Sequence, residues 1–171
     1  MDGIKLMRIP GGYAVGLSFF GNYYVGHGTP EHKERVPGFD PSLPWISGDP
    51  DPTSEEWKTA AKVRTALSIA IDRELLVDTL LAGEAVADPL PAYSYHLDKL
   101  PPKYRQWEFN PDKSKELLAE AGYPDGFKIT ITPITGFAYP EVTAAIAQMW
   151  EVIGIKSVQQ NMPYATFRPG I

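Results

Sequence analysis

The stretch Val63-Arg64-Thr65-Ala66-Leu67-Ser68-Ile69-Ala70-Ile71-Asp72-Arg73-Glu74-Leu75-Leu76-Val77-Asp78-Thr79-Leu80-Leu81-Ala82-Gly83 decides how the chain is read. Val63, Ala66, Leu67, Ala70 and Ile71 recur at i, i+3, i+4, i+7 and i+8, which lines one face of a helix of about 3.6 residues per turn. The first half is therefore a helix that faces a core. Asp72 offers a short acceptor side chain to cap a second helix, Glu74 puts negative charge in its first turn, and Gly83 follows the last leucines as a C′ residue. Two helical segments meet at Asp72.

Downstream, Asn110 caps a further helix, Pro111 takes its first position and Gly122 ends it. Tyr123-Pro124-Asp125-Gly126 is turn chemistry, after which Phe127, Ile129 and Ile131 alternate with Lys128, Thr130 and Thr132 as a one-sided strand. The loop from Pro133 to Tyr139 leads to a helix over Pro140 to Ile153. Its apolar side holds Val142, Ala145, Ile146, Met149, Trp150 and Ile153, and Gly154 closes it. A strand begins at Ile155. Strand, helix and strand in this order predict a βαβ unit with parallel strands and a right-handed crossover.

Upstream, Tyr13, Val15, Leu17 and Phe19 alternate with Ala14, Gly16, Ser18 and Phe20, the period of a strand that is apolar on both faces. Residues 26–56 form an irregular Pro/Gly-rich loop, with Pro30, Pro37, Pro41, Pro44, Pro50 and Pro52 breaking any regular element. A loop of this length is either functional or an insertion. A second irregular stretch, Asp88 to Trp107, carries Tyr93, Tyr95, Tyr104 and Trp107. The elements together predict an α/β (mixed α+β) fold, a small mixed sheet covered by three or four helices, and a single domain over residues 1–171.

With 171 residues, 43% of them hydrophobic and 12% aromatic, the chain is long enough for one core. The net charge of -5, without a run of Lys or Arg, argues against nucleic acid or an anionic membrane as partner. The absence of cysteine excludes disulfides, thiolate catalysis and Cys-ligated metals. The apolar stretch Tyr13 to Gly26 is interrupted by Gly16, Gly21 and Asn22 and is too short to span a bilayer. Lys5 and Arg8 imitate a signal peptide's charged start, but Pro10-Gly11-Gly12 spoils the apolar region and no A-x-A site follows, so no signal peptide is expected in these residues.

The run Val63-Arg64-x-Ala66-Leu67-x-x-Ala70-Ile71-Asp72-Arg73-Glu74 resembles the VRxALxxAIDRE signature of the family 5 extracellular solute-binding proteins, the dipeptide, oligopeptide and nickel receptors of ABC transporters. Asn110 to Phe127, NPDKSKELLAEAGYPDGF, resembles the family's YDPEKAKELLAEAGYPDGF pattern, and Trp150 to Lys156, WEVIGIK, followed by Tyr164-Ala165-Thr166-Phe167, is a third match in the same order. The resemblance covers residues 63–167. It implies part of the second lobe of a type II periplasmic-binding-protein fold, hence a fragment of a larger receptor. Relatives usually have a shorter link before the VRxAL helix, and they carry apolar residues where Ser157 and Gln159 stand.

No catalytic constellation is present. His27 and His32 lie with Glu31 and Glu34 in an irregular loop without helical metal spacing, and His96 stands apart. Asp49 and Asp51 read as a turn rather than a calcium loop. There is no nucleophile elbow and no phosphate-binding loop, so neither an enzyme, nor a metal, nor a cofactor is expected. Arg64, Asp72 and Arg73 are explained by capping and local ion pairing, and Met149 and Trp150 by the core.

Open α/β sheets place ligands beyond the C-terminal ends of their strands. Thr135-Gly136-Phe137-Ala138-Tyr139 is such a loop, and it delivers free backbone N–H groups at the start of the next helix, a seat for a carboxylate. Tyr93 and Tyr95 are the second choice, since a tyrosine combines apolar area with a hydroxyl, and Asn22 resembles an asparagine at a comparable place in the family. The resemblance implies capture of a peptide or similar small solute outside the cytoplasmic membrane, in the periplasm or extracellular space, by closure of two lobes and delivery to an ABC-transporter permease. The alternative is a self-standing protein-interaction module with the same fold, and a hydrolase is a distant third. In the family, the acidic residue that holds a peptide's amino terminus lies beyond the matched region. The 171 residues alone are therefore expected to show negligible affinity for peptides. Titration calorimetry with di- and oligopeptides checks this, and micromolar binding would contradict it.

Overall fold

The computed structural model describes residues 16–19, 21, 39–87, 98–102, 108–136 and 139–167. Helix α1 spans Glu55–Ile69 and α2 spans Arg73–Leu80. The Asp72 side chain accepts the Leu75 N–H at 2.9 Å, so the two helices meet where the sequence places the break. Val63, Ala66, Leu67, Ala70 and Ile71 are all buried.

Two boundaries differ from expectation. Helix α1 begins at Glu55, inside the tail of the expected loop, because Ser54 accepts the Trp57 N–H and Glu55 and Glu56 supply first-turn negative charge. Helix α2 closes early at Leu80, so Ala82 takes the C′ place at a φ of 51° and Gly83 follows at 71°. The N–H groups of Leu81 and Gly83 both donate to the Val77 carbonyl.

Helix α3, Pro111–Glu120, is capped by the Asn110 side chain, which accepts the Lys113 N–H at 3.0 Å. It ends with the Gly122 N–H on Ala119 O and the Tyr123 N–H on Leu118 O, the paired bonds of a Schellman motif. Then follow β1 (Lys128–Ile131), β2 (Ile134–Thr135), α4 (Pro140–Val152), β3 (Lys156–Gln159), β4 (Met162–Pro163) and α5 (Tyr164–Phe167). Strand β1 pairs in parallel with β3, and β2 with β4. The expected small sheet thus takes the form, among the described residues, of two short parallel pairs with α4 as the connection. Bonds from Gln160 N–H to Ile131 O and from Met162 N–H to Pro133 O carry one pair into the next as a single ribbon.

Burial alternates along β1, with Ile129 and Ile131 inward. Ser157 and Gln159 stand opposite these isoleucines in the register, and the buried Ser157 Oγ has no hydrogen-bond partner. The fully buried Ile155 completes the core just before β3.

The last turn of a helix leaves four carbonyls without an intrahelical partner, and burying them unpaired is costly. At the end of α1 each has one. Ala66 O accepts from the Ala70 N–H and, at 2.7 Å, from the buried Ser114 hydroxyl of α3. Leu67 O accepts from Trp150 Nε1 of α4 at 2.9 Å. Ser68 O accepts from Arg73 Nη1 at 3.0 Å, and Ile69 O from the Asn110 N–H at 2.8 Å. Lys62 and Glu120, 2.7 Å apart, add a surface ion pair between α1 and α3.

The described part of the Pro-rich stretch is packed rather than looped outward. Trp45, Ile46 and Ser47 are buried, and the Trp45 ring lies 6.2 Å from both Phe19 and Phe127. Arg64 Nη1 donates to Trp45 O at 2.6 Å, and its guanidinium sits 5.5 Å from the centre of the Trp57 ring. Of the strand expected over Tyr13–Phe20, the described residues Gly16–Phe19 pair with no strand. Phe19 is held by its ring on Trp45, and Gly21 by its carbonyl, which accepts the Asp40 N–H at 3.2 Å. A side chain and a turn, not a ladder, fix that segment.

Gly126 and Gly154 bring the turn before β1 against the end of α4. A Cβ on Gly126 would come within 2.1 Å of the Gly154 carbonyl oxygen, at a φ of 70°. A Cβ on Gly122, where φ is 92°, would meet nothing within 4 Å. Gly122→Ala should therefore cost about 1 kcal/mol, the strain of a left-handed alanine, whereas Gly126→Ala should cost well over 2 kcal/mol, roughly twice that strain, because backbone must also move. Trp150→Phe should cost about 2 kcal/mol or more, since it strands the Leu67 carbonyl. Urea unfolding of the three variants checks both the values and their order.

Candidate functional site

The C-terminal ends of the parallel strands gather on one edge. Strand β1 runs through the buried Pro133 into β2, which ends at the exposed Thr135. Gly136 follows at a φ of 90°, a left-handed conformation that glycine adopts without strain, and turns the chain toward α4. Tyr139 occupies the N-cap of that helix in extended conformation and makes no side-chain cap hydrogen bond. Pro140 takes the first position, where a missing N–H loses nothing. The Tyr139 carbonyl accepts from the Thr143 N–H at 3.1 Å and from Thr143 Oγ1 at 3.2 Å, which fixes the start of the helix. Glu141 places a negative charge in the same turn.

Beside this edge, β4 ends at Pro163, directly opposite Thr135, and α5 starts with Tyr164 against β2. Two helix starts, each with a tyrosine, therefore flank the end of the ribbon. Tyr139 is 45% exposed and Tyr164 40% exposed. Hydroxyls, main-chain donors and aromatic faces on an exposed edge are the chemistry of recognition.

Of the residues singled out from the sequence, Thr135, Gly136 and Tyr139 come together here. Phe137, Ala138, Tyr93, Tyr95 and Asn22 lie outside the described residues, as do His27, His32 and His96. In the sequence Tyr164 stands out only as part of a matching block. Its signal is Pro163, which ends a short strand and leaves the next residue at a helix start.

The charged residues of the first helix pair act on the backbone. Asp72 caps α2, Arg64 reaches Trp45 O, and Arg73 bonds Ser68 O, Ser68 Oγ and Ile71 O. Both arginines thus donate to backbone carbonyls, the capping role expected of this charged group. Burial holds both guanidinium groups below their ordinary pKa. The Gly48-Asp49-Pro50-Asp51-Pro52 run forms turns: Asp49 Oδ1 accepts the Asp51 N–H, and Asp51 Oδ1 accepts both the N–H and the hydroxyl of Thr53. Those bonds from Thr53 hold the Asp51 carboxyl below the usual carboxylate range.

The elements form an α/β fold, with this exposed edge beyond the ends of its parallel strands. The sequence pattern described as bacterial extracellular solute-binding proteins, family 5 (middle), matches residues 37–170, and the chain belongs to that family. Heme-binding protein A of Haemophilus influenzae is 33% identical over 116 residues, 63% of this chain and 20% of its own length. The glutathione-binding protein GsiB of Salmonella choleraesuis is 44% identical over 75 residues, 41% of this chain and 13% of its own. Among solved structures, the ABC transporter-associated periplasmic binding protein DppA of Helicobacter pylori, in complex with the peptide STSA, superposes with a TM-score of 0.52 at 26% identity. That match covers 64% of this chain and 21% of DppA. The chain thus spans about a fifth or less of the length of the relatives it matches.

Proposed function

We propose that these residues form part of one lobe of a substrate-binding protein that captures peptides or similar small solutes outside the cytoplasmic membrane and hands them to an ABC-transporter permease. No bond is made or broken; two lobes close on the solute by hinge motion. The supporting observation is the exposed edge of Thr135, Gly136 and Tyr139 at the C-terminal end of parallel strands, on a chain of this family. Relatives named for a bound peptide or for glutathione support the solute class.

In this reading Thr135 and Tyr139 offer hydroxyls and an aromatic face, and the first amides of α4 point toward the solute. Glu141 offsets the positive end of that helix, so a neutral peptide carbonyl suits the seat better than a free carboxylate. Phe137, Tyr93, Tyr95 and Asn22 are proposed to line the same cleft.

Titration calorimetry on the protein encoded by the complete reading frame tests this, with a dipeptide, a pentapeptide, glutathione and haem as ligands. Tyr139→Ala and Gly136→Pro should each weaken the best ligand about tenfold, or roughly 1.4 kcal/mol. Unchanged affinity in both variants would remove this edge from the site, and no binding of any of the four would remove the solute class.

A further inference from the structure

The turn Tyr123-Pro124-Asp125-Gly126 places an exposed aspartate directly before a glycine. Glycine has no Cβ to shield its main-chain nitrogen, so in an unstructured chain the Gly126 nitrogen reaches the side-chain carboxyl carbon of Asp125. Ring closure expels a carboxyl oxygen as water, passes the amide proton to solvent and leaves a five-membered succinimide. Water then opens the ring at one of two carbons. Attack at the side-chain carbon restores aspartate. Attack at the main-chain carbon breaks the original Asp125–Gly126 peptide bond and leaves isoaspartate, with Gly126 joined through the former side chain and a free α-carboxylate.

In the fold this reaction meets two obstacles. The nucleophile is engaged, because the Gly126 N–H donates to Tyr123 O at 3.0 Å and closes the turn. The backbone is also wedged: a Cβ on Gly126 would collide with the Gly154 carbonyl, and one on Gly154 would come within 3.3 Å of the Asp125 carbonyl oxygen. Both flanks are pinned, since the Lys156 N–H bonds Phe127 O at 2.9 Å and the Ile155 N–H bonds Trp150 O at 3.0 Å. Swinging the Gly126 nitrogen onto the side chain needs room that these contacts deny. Isoaspartate, moreover, lengthens the main chain by one carbon, about 1.5 Å, at the same place.

We propose that Asp125 is a site of aspartate isomerisation gated by the contact between Gly126 and Gly154. It is silent while the turn before β1 lies against the end of α4, and reactive when the two part. Once converted, the turn no longer fits, so isoaspartate at position 125 records past openings of this junction. The gate lies wholly within residues 123–156 and is independent of any bound solute.

Peptide mapping by tandem mass spectrometry, which separates the two linkages, tests this on the protein encoded by the complete reading frame, aged at neutral pH. Isoaspartate at position 125 should form at least about tenfold more slowly in the folded protein than in the peptide of residues 123–127, and at the peptide's rate in urea-unfolded protein. Gly154→Ala, which presses a Cβ on the Asp125 carbonyl, should age severalfold faster than the unaltered protein. Protein converted in urea and then refolded should unfold at a lower urea concentration than before, whereas Asp125→Glu protein carried through the same treatment should keep its midpoint, which separates residue 125 from other aged positions. Ageing of the folded protein at the peptide's rate overturns the proposal, as does slow ageing in urea. An unchanged midpoint after conversion overturns it as well, and that measurement needs no Gly154 variant.

Discussion

The carbonyls at the end of α1 are the constraint on which the rest of the structure depends. A helix that ends inside a core cannot leave its last carbonyls to water. Here one comes to be served by α2 through Arg73, one by the α3 cap through the Asn110 N–H, one by α3 through Ser114 and one by α4 through Trp150. These bonds orient three later helices about a single point. The apolar contacts of Val63, Leu67, Leu118 and Trp150 then fill the space that the bonds define. Apolar burial supplies most of the driving force, while the hydrogen bonds select one arrangement of the helices from the several that such a surface would accept.

The exposed edge follows from that arrangement. With Trp150 fixed on α1, the end of α4 is fixed too, and its closing glycine meets the turn before β1. The close approach of Gly126 and Gly154 brings β1 and β3 together at their N-terminal ends, where Phe127 O accepts the Lys156 N–H at 2.9 Å. From there both strands run in parallel to the far edge, and Thr135, Gly136, Tyr139 and Tyr164 sit where they stop. The position of this edge is thus set by a chain of backbone contacts that begins well away from it.

Most of this skeleton is legible in the sequence because its boundaries are local chemistry. Asp72, Asn110, Pro111, Gly122, Pro140 and Gly154 each act within one turn of themselves, so short-range rules find them. What is not legible depends on distant partners. Nothing near Arg73 or Trp150 in sequence says that their polar atoms meet carbonyls of α1, so one reads as a local cap or ion pair and the other as mere core. Trp45 stands among prolines and reads as part of a loop, although its ring packs on Phe127. Ser157 weakens the strand pattern, yet the parallel partner overrides it. For the candidate edge, the place of Thr135, Gly136 and Tyr139 beyond a strand end is legible from the local pattern, whereas that of Tyr164 requires knowing that β4 lies beside β2.

Trp150 lies 83 residues from the Leu67 carbonyl it serves, and Ser114 lies 48 residues from Ala66. During synthesis the first helix therefore emerges with the Leu67 carbonyl unanswered, and it stays so until Trp150 has followed. Contacts of such separation slow folding, because loop closure must precede the reward. The nascent chain is obliged to wait, loosely collapsed and open to chaperones and proteases, and a ribosome stalled before the codon for Trp150 would hold it in that state.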